Sequence, residues 1–149
     1  MPRVTHVKKA RKPIPSIGVE VGDSYYWWQF AFSPRSVSKT PPKPWQLTRS
    51  PFMQELLQLQ DELGSLDLDG AEDFAQRVRA LGEEQQEKLQ NMPDSLQYAP
   101  SGELLQEREE AMTAWADEID EIWGRAEDDL SEDDLEELVE ELRSCEASL

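Results

Sequence analysis

Hydrophobic and polar positions follow two different periods along the chain, and the change falls near residue 50. From Phe52 onward apolar side chains return every three or four residues, the spacing of a helix with one buried face. Phe52, Leu56, Leu59 and Leu63 form a first stripe, opened by Ser50 as N-cap with Pro51 at the first helical position and closed by Gly64. A second stripe, Phe74, Val78, Leu81, Gln85, Leu89 and Met92, runs from a start near Asp69-Gly70 to a stop at Pro93, with Gly82 weakening its middle. The third, Leu105, Arg108, Met112, Trp115, Ile119, Ile122 and Ala126, alternates threes and fours without a break, as a seam between paired helices does. The short loop Pro93 to Gly102 joins the second and third stripes and predicts an antiparallel hairpin, covered by the first helix. Ser131 followed by Glu132, Asp133 and Asp134 predicts a last short helix, with Leu135, Leu138, Val139 and Leu142 on one face. No internal repeat suggests a solenoid.

Before residue 50 the period is that of a strand. Tyr25 to Phe32 is the densest apolar run, and aromatic side chains suit a pleated surface. Alternation places Tyr26, Trp28, Phe30 and Phe32 on one face and Tyr25, Trp27, Gln29 and Ala31 on the other. Ser33-Pro34-Arg35 turns the chain, and Val37 to Thr40 returns as a hairpin partner stopped by Pro41-Pro42. A lone hairpin is marginal in water, so its rings need further cover. Upstream, Ile14 to Gly18 and Val21 to Asp23 read as tight turns, and residues 1–13 as a basic flexible arm. Downstream, Pro41 to Pro44 is an extended spacer leading to Trp45 and Leu47. The predicted fold is therefore α+β, mostly α: an arm over 1–13, a β-hairpin module over 14–47, a three-helix bundle or hairpin over 48–128, and an acidic C-terminal helix or tail over 129–149.

Charge sharpens that division. The 149 residues carry a net charge of -17, but residues 1–50 hold nine lysines and arginines against Glu20 and Asp23, a net +7, while residues 51–149 hold six basic and thirty acidic residues, a net -24. Blocks of this kind repel their own sign and attract the other. Apolar residues make up 38% and mean hydropathy is -0.72, which leaves material for modest cores only. The single cysteine, Cys145, fits a reducing compartment, and neither a signal peptide nor a membrane-length apolar run is present, so a cytoplasmic protein is expected.

Several chemistries find no support. His6 is the one histidine, too few for a histidine triad or a histidine-rich metal site. Asp67, Asp69 and Gly70 echo part of a calcium loop, yet the first and twelfth positions would fall on Ser65 and Gln76. No phosphate-binding glycine loop or dinucleotide fingerprint occurs. Acid–base pairs cannot be singled out among thirty-two acids that mostly serve solubility. The expectation is a protein that is not an enzyme and carries no metal or other cofactor.

Ile14-Pro15-Ser16-Ile17-Gly18, then Val21-Gly22-Asp23 and Tyr25 to Trp28, resembles a zinc-ribbon or zinc-knuckle module in which Ile14 and Ile17 replace the first cysteine pair and the region Ser38 to Pro41 the second. Tetrahedral zinc needs Cys or His there, so the resemblance implies a degenerate copy held by packing. The succession YYWWQFAF, SKTPPKP, QLTRSPF, QNMPDSLQ and GELLQER, spread over residues 1–110, resembles a family of small uncharacterised tailed-bacteriophage proteins. That resemblance implies a phage origin and action in the host bacterial cytoplasm, and brings no functional residues with it.

Two surfaces are candidates for binding. Lys8, Lys9, Arg11, Lys12, Tyr25, Trp27, Trp28, Arg35 and Trp45 combine cations that hold phosphates with rings on which bases stack; the same rings could instead form the small core of the front module. Glu127, Asp128, Asp129, Glu132, Asp133, Asp134, Glu136, Glu137, Glu140 and Glu141 could imitate the phosphate array of DNA toward a basic groove, or simply solvate a bundle. The leading expectation is a non-enzymatic phage accessory protein that binds a bacterial or phage macromolecule, with a DNA-handling protein as partner. The alternatives are a DNA-mimic inhibitor of a host DNA-processing or defence enzyme, and a nucleic-acid-binding protein using residues 1–49. The helical stripes at 72–92 and 103–126 also offer a route to a homodimer.

Overall fold

The computed structural model describes residues 2–128 and 130–148. The chain divides into two compact units, Met1–Leu57 and Gln58–Leu149. It is α+β and mostly α, a small antiparallel sheet followed by helices.

The sheet of the first unit has three strands, β1 (Thr5–Val7), β2 (Tyr25–Trp28) and β3 (Ser36–Ser38), in the order β1-β2-β3. On the central strand, Trp27 faces Thr5 on one side and Val37 on the other, and Tyr26 faces His6 and Ser38. The arm expected over residues 1–13 is thus partly strand. Thr5 and Val7 are β-branched and alternate with His6, and pairing them with the free edge of β2 supplies the third strand that a two-stranded hairpin lacks. Ala10 continues this tethering: its N–H donates to the Asp23 carbonyl at 2.7 Å and its carbonyl accepts from Gly22 at 2.9 Å. Between them, Ile14 and Val19 exchange backbone bonds of 2.8 and 3.1 Å around a 3₁₀ turn at Pro15–Ile17. Gly18 closes that turn at φ 69°, a left-handed conformation that glycine adopts without a Cβ penalty. Among the described residues of the unit, Ala10, Val19, Trp28, Phe52 and Leu56 are the buried apolar side chains.

The hairpin is shorter than its sequence suggests. β2 stops at Trp28 rather than Phe32, because Phe30 to Ser33 make a turn in which the Ser33 N–H donates to the Phe30 carbonyl at 3.2 Å. Phe30 and Phe32 therefore leave the strand face they were expected to share with Tyr26 and Trp28. Pro44–Leu47 forms a 3₁₀ turn, held by the Lys43 N–H donating to Gln46 Oε1 at 2.8 Å.

The first helix, α1 (Pro51–Leu63), begins as expected, with Ser50 Oγ accepting from the Met53 N–H at 3.4 Å. Phe52, Leu56, Leu59 and Leu63 are all buried. The boundary between the units falls inside this helix, between Leu57 and Gln58, rather than at residue 47.

In the second unit α2 (Ala71–Gln90) and α4 (Pro100–Ala126) pack as a hairpin, joined by the single turn α3 (Asp94–Gln97). Helix α4 starts earlier than the loop Pro93 to Gly102 predicts, since Pro100 is itself tolerated in a first turn whose N–H groups need no intrahelical partner. Met112, Trp115, Ile119 and Ile122 from one stripe and Phe74, Val78, Leu81 and Gln85 from the other are buried. The seam is thus filled within the chain, and a homodimer through the same positions would have to open it. Gly82 has a packing role that helix propensity hides: a Cβ there would come within 3.0 Å of Met112 Cβ, so the glycine lets α2 and α4 approach. Trp115 meets Phe74 edge to face, with centroids 5.6 Å apart, and its Nε1 donates to the Cys145 carbonyl at 3.2 Å.

That last bond ties in α5 (Glu132–Ser144), capped by Ser131, whose Oγ accepts from the Asp134 N–H at 3.3 Å. With Leu138, Leu142 and Cys145 buried and Arg125 paired to Glu141 at 2.6 Å, α5 belongs to the second unit rather than forming a separate tail. Arg143 bonds the Leu66 carbonyl and Asp67 Oδ1, both at 3.1 Å. Arg79 bridges to Asp117 and Asp120 at 2.7 and 2.5 Å; such exposed pairs contribute at most about 1 kcal/mol each, so apolar burial decides the packing.

Two glycines of α4 distinguish packing from propensity. A Cβ at Gly102 would run into the carbonyl oxygens of Gln97 and Leu96, whereas at Gly124 it would meet nothing within 4 Å. Urea unfolding is expected to show Gly102→Ala less stable by about 1–3 kcal/mol or more and Gly124→Ala more stable by about 0.5–1 kcal/mol.

Candidate functional site

The register of the sheet sorts the aromatic residues of β2. Tyr25 and Trp27 share one face with Thr5, Val7 and Val37, while Tyr26 and Trp28 share the other with His6, Ser36 and Ser38. On the second face Trp28 is buried, and His6 stacks on Tyr26 with centroids 4.3 Å apart and rings nearly parallel. Trp28 is therefore a core residue, and the ring it was expected to offer a partner is spent on the fold.

The first face is different. Tyr25 and Trp27 are only half-buried. Lys9, Arg11 and Lys12 gather with Val7, Ile14 and Tyr25 around a cleft of about 300 Å³. One strand position further along, the Arg35 guanidinium lies 4.0 Å above the centroid of Trp27. Lys8 is exposed, and Trp45 stands apart in its own turn with Lys43 Nζ 5.8 Å from its ring. The fold thus brings together Lys9, Arg11, Lys12 and Tyr25, with Trp27 and Arg35 beside them on the same face, and sets Trp28 apart. Within Met1–Leu57 nine basic residues face three acidic ones, a net +6.

Sequence reasoning passed over a second region of this unit. Arg49 lies 4.8 Å from the Phe30 centroid, donates to the Ala31 carbonyl at 2.7 Å and bonds Ser33 Oγ. Beside it opens a cleft of about 380 Å³ lined by Pro2, Gln29, Phe30, Leu47, Thr48 and Arg49. A strand assigned through Phe32 hides this turn, and only the Ser33-Pro34 pair hinted at where the strand ends.

The acidic candidates lie in the second unit. Glu127, Asp128, Glu132, Asp133, Asp134, Glu136, Glu137, Glu140 and Glu141 are exposed, and Asp129 lies outside the described residues. Helix α5 carries seven carboxylates and one arginine in 13 residues. At about 1.5 Å per residue it is about 20 Å long, so its net charge averages one per about 3.3 Å, close to the ~3.4 Å of a single DNA strand.

No group of three or more histidine, cysteine, aspartate or glutamate side chains is placed to hold a metal among the described residues, and no described helix is long and apolar enough to cross a membrane. Compared with known proteins, the chain matches no family model, no curated sequence and no solved structure.

The remaining chemically distinctive group is the Cys145 thiol. Burial, reinforced by Glu118 beside it, pushes it up to about 12 from an ordinary 9.0. It stays a neutral thiol at physiological pH, which makes it a poor nucleophile. Because the unfolded thiol ionises near 9 and the folded one near 12, the folded state retains a proton that the unfolded state has lost, and stability should fall as pH rises across that window. Denaturant unfolding between those pH values is expected to show a steeper decline for the native chain than for Cys145→Ala.

Proposed function

We propose that this chain is a non-enzymatic phage accessory protein, acting in the host bacterial cytoplasm without a cofactor, and that its basic unit binds nucleic acid. The observation that carries this reading is the cleft of Lys9, Arg11 and Lys12 around the half-buried ring of Tyr25, continued by Trp27 under Arg35. Cations at the edge of a ring surface are what a polyanion with stacking bases requires.

Magnitudes favour an exchange at Trp27. An exposed cation–π contact contributes about 0.5–1 kcal/mol, whereas a base stacked on an aromatic ring contributes about 1–3 kcal/mol. A base can therefore take the ring while Arg35 turns to a phosphate. The acids of the second unit oppose binding only over short range, since charges more than about 8 Å apart are largely screened at physiological salt.

A second reading is favoured by the charge spacing of α5. A helix that presents carboxylates at the density of one DNA strand suits the lysine and arginine groove of a host DNA-processing or defence enzyme.

Fluorescence polarisation with a short labelled oligonucleotide separates the two. Nucleic-acid binding is expected to weaken steeply with salt, and replacing Lys9, Arg11 and Lys12 with glutamine should both weaken it and reduce the salt slope by about 2, at about 0.7 per lost single-strand phosphate contact. Mimicry instead predicts no oligonucleotide binding, and capture of a basic DNA-handling protein that survives nuclease and is lost when the acids of 127–141 are neutralised.

A further inference from the structure

Phe32 breaks a local rule that nothing within its own unit explains. It occupies the third position of the turn Phe30 to Ser33 at φ 59°, a left-handed conformation that favours glycine or asparagine. Its ring is fully exposed, so packing does not offset the backbone strain. The turn is nevertheless held firmly. Gln29 Nε2 donates to the Ser33 carbonyl at 2.9 Å, and Arg49 braces the turn through the Ala31 carbonyl, Ser33 Oγ and the face of Phe30. A rigid support that presents a strained, solvated aromatic ring suits a side chain that meets its partner outside the unit.

We propose that Phe32 is a base-stacking residue for single-stranded nucleic acid, with Arg49 beside its turn as a phosphate contact. The occupant follows from charge complementarity: Met1–Leu57 is net +6, and Arg49, itself exposed, lies against the Phe32 turn. An exposed ring beside a cation is complementary to an unpaired base and its phosphate. A duplex offers such a ring only its end pairs or an unstacked step. This inference rests on the nucleic-acid reading above and adds to it a residue outside the Tyr25 cleft and a preference for single strands.

The test uses the full chain, a fluorescent oligothymidylate and its duplex with oligoadenylate. Wild-type protein is expected to prefer the single strand, and Phe32→Ala to bind it about 5- to 150-fold more weakly, the range of one lost base stack. Phe32→Trp should retain binding. Phe32→Gly should raise the unfolding midpoint, by relieving the positive φ, and still lose affinity, which separates a binding role from a folding role. If Phe32→Ala and Phe32→Gly bind as wild type while the Lys9, Arg11 and Lys12 replacement does not, the inference is overturned and the nucleic-acid reading stands. If wild type binds neither strand form, both fall. Equal affinity for the duplex, or a Phe32 effect confined to a captured protein, also overturns it.

Discussion

The second unit depends on the burial of Trp115 between α2 and α4. Its ring meets Phe74 edge to face and its indole N–H reaches the Cys145 carbonyl, so one side chain joins both helices of the hairpin to the end of α5. Truncating a buried tryptophan typically costs about 3–5 kcal/mol, a large part of the stability of a small domain. With the seam carrying the stability, the outward faces are released from packing and can hold their many carboxylates. The acid content of this unit is thus compatible with a fixed fold because the apolar stripe is continuous and Gly82 lets the helices close upon it.

The first unit meets the opposite constraint, having more aromatic surface than three short strands can cover. Trp28 goes to the core and Tyr26 to a stack with His6, which leaves Tyr25 and Trp27 half-buried beside cations and Phe32 in solvent. Arg35 over Trp27 and the cations around Tyr25 limit the exposed apolar area without closing it. A surface covered by weak, exchangeable contacts is suited to a ligand that brings both rings and negative charge.

Helices were largely legible in the sequence because their signal is local and repeated. Ser50, Pro51 and Ser131 fixed two starts, and the stripes Phe52 to Leu63, Phe74 to Gln85 and Met112 to Ile122 named residues that are in fact buried. The sheet was less legible. Pairing of Thr5–Val7 with β2 depends on contacts some twenty residues away in sequence, and a three-residue strand has too few positions to reveal a period. The turn at Phe30 to Ser33 was hidden because it contains no glycine at the position whose φ is positive. For the candidate site, composition identified Lys9, Arg11, Lys12, Tyr25, Trp27 and Arg35, and alternation set Trp27 and Trp28 on opposite faces, but only the burial of Trp28 showed which of the two belongs to the core. Arg49 and Phe32 were missed since their roles arise from a turn that the apolar run disguised.

The five tryptophans provide the most direct view of the central claim, that the Tyr25–Trp27 face of the basic unit is where the chain meets nucleic acid. Their indole N–H resonances in a ¹H–¹⁵N spectrum report separately on the proposed binding face at Trp27, the first-unit core at Trp28, the turn at Trp45, and the acidic unit at Trp115 and Trp123. On titration with an oligonucleotide, the account predicts that Trp27 moves most while Trp115 and Trp123 stay in place. Movement confined to Trp115 and Trp123, or no movement of Trp27 at saturation, would contradict it.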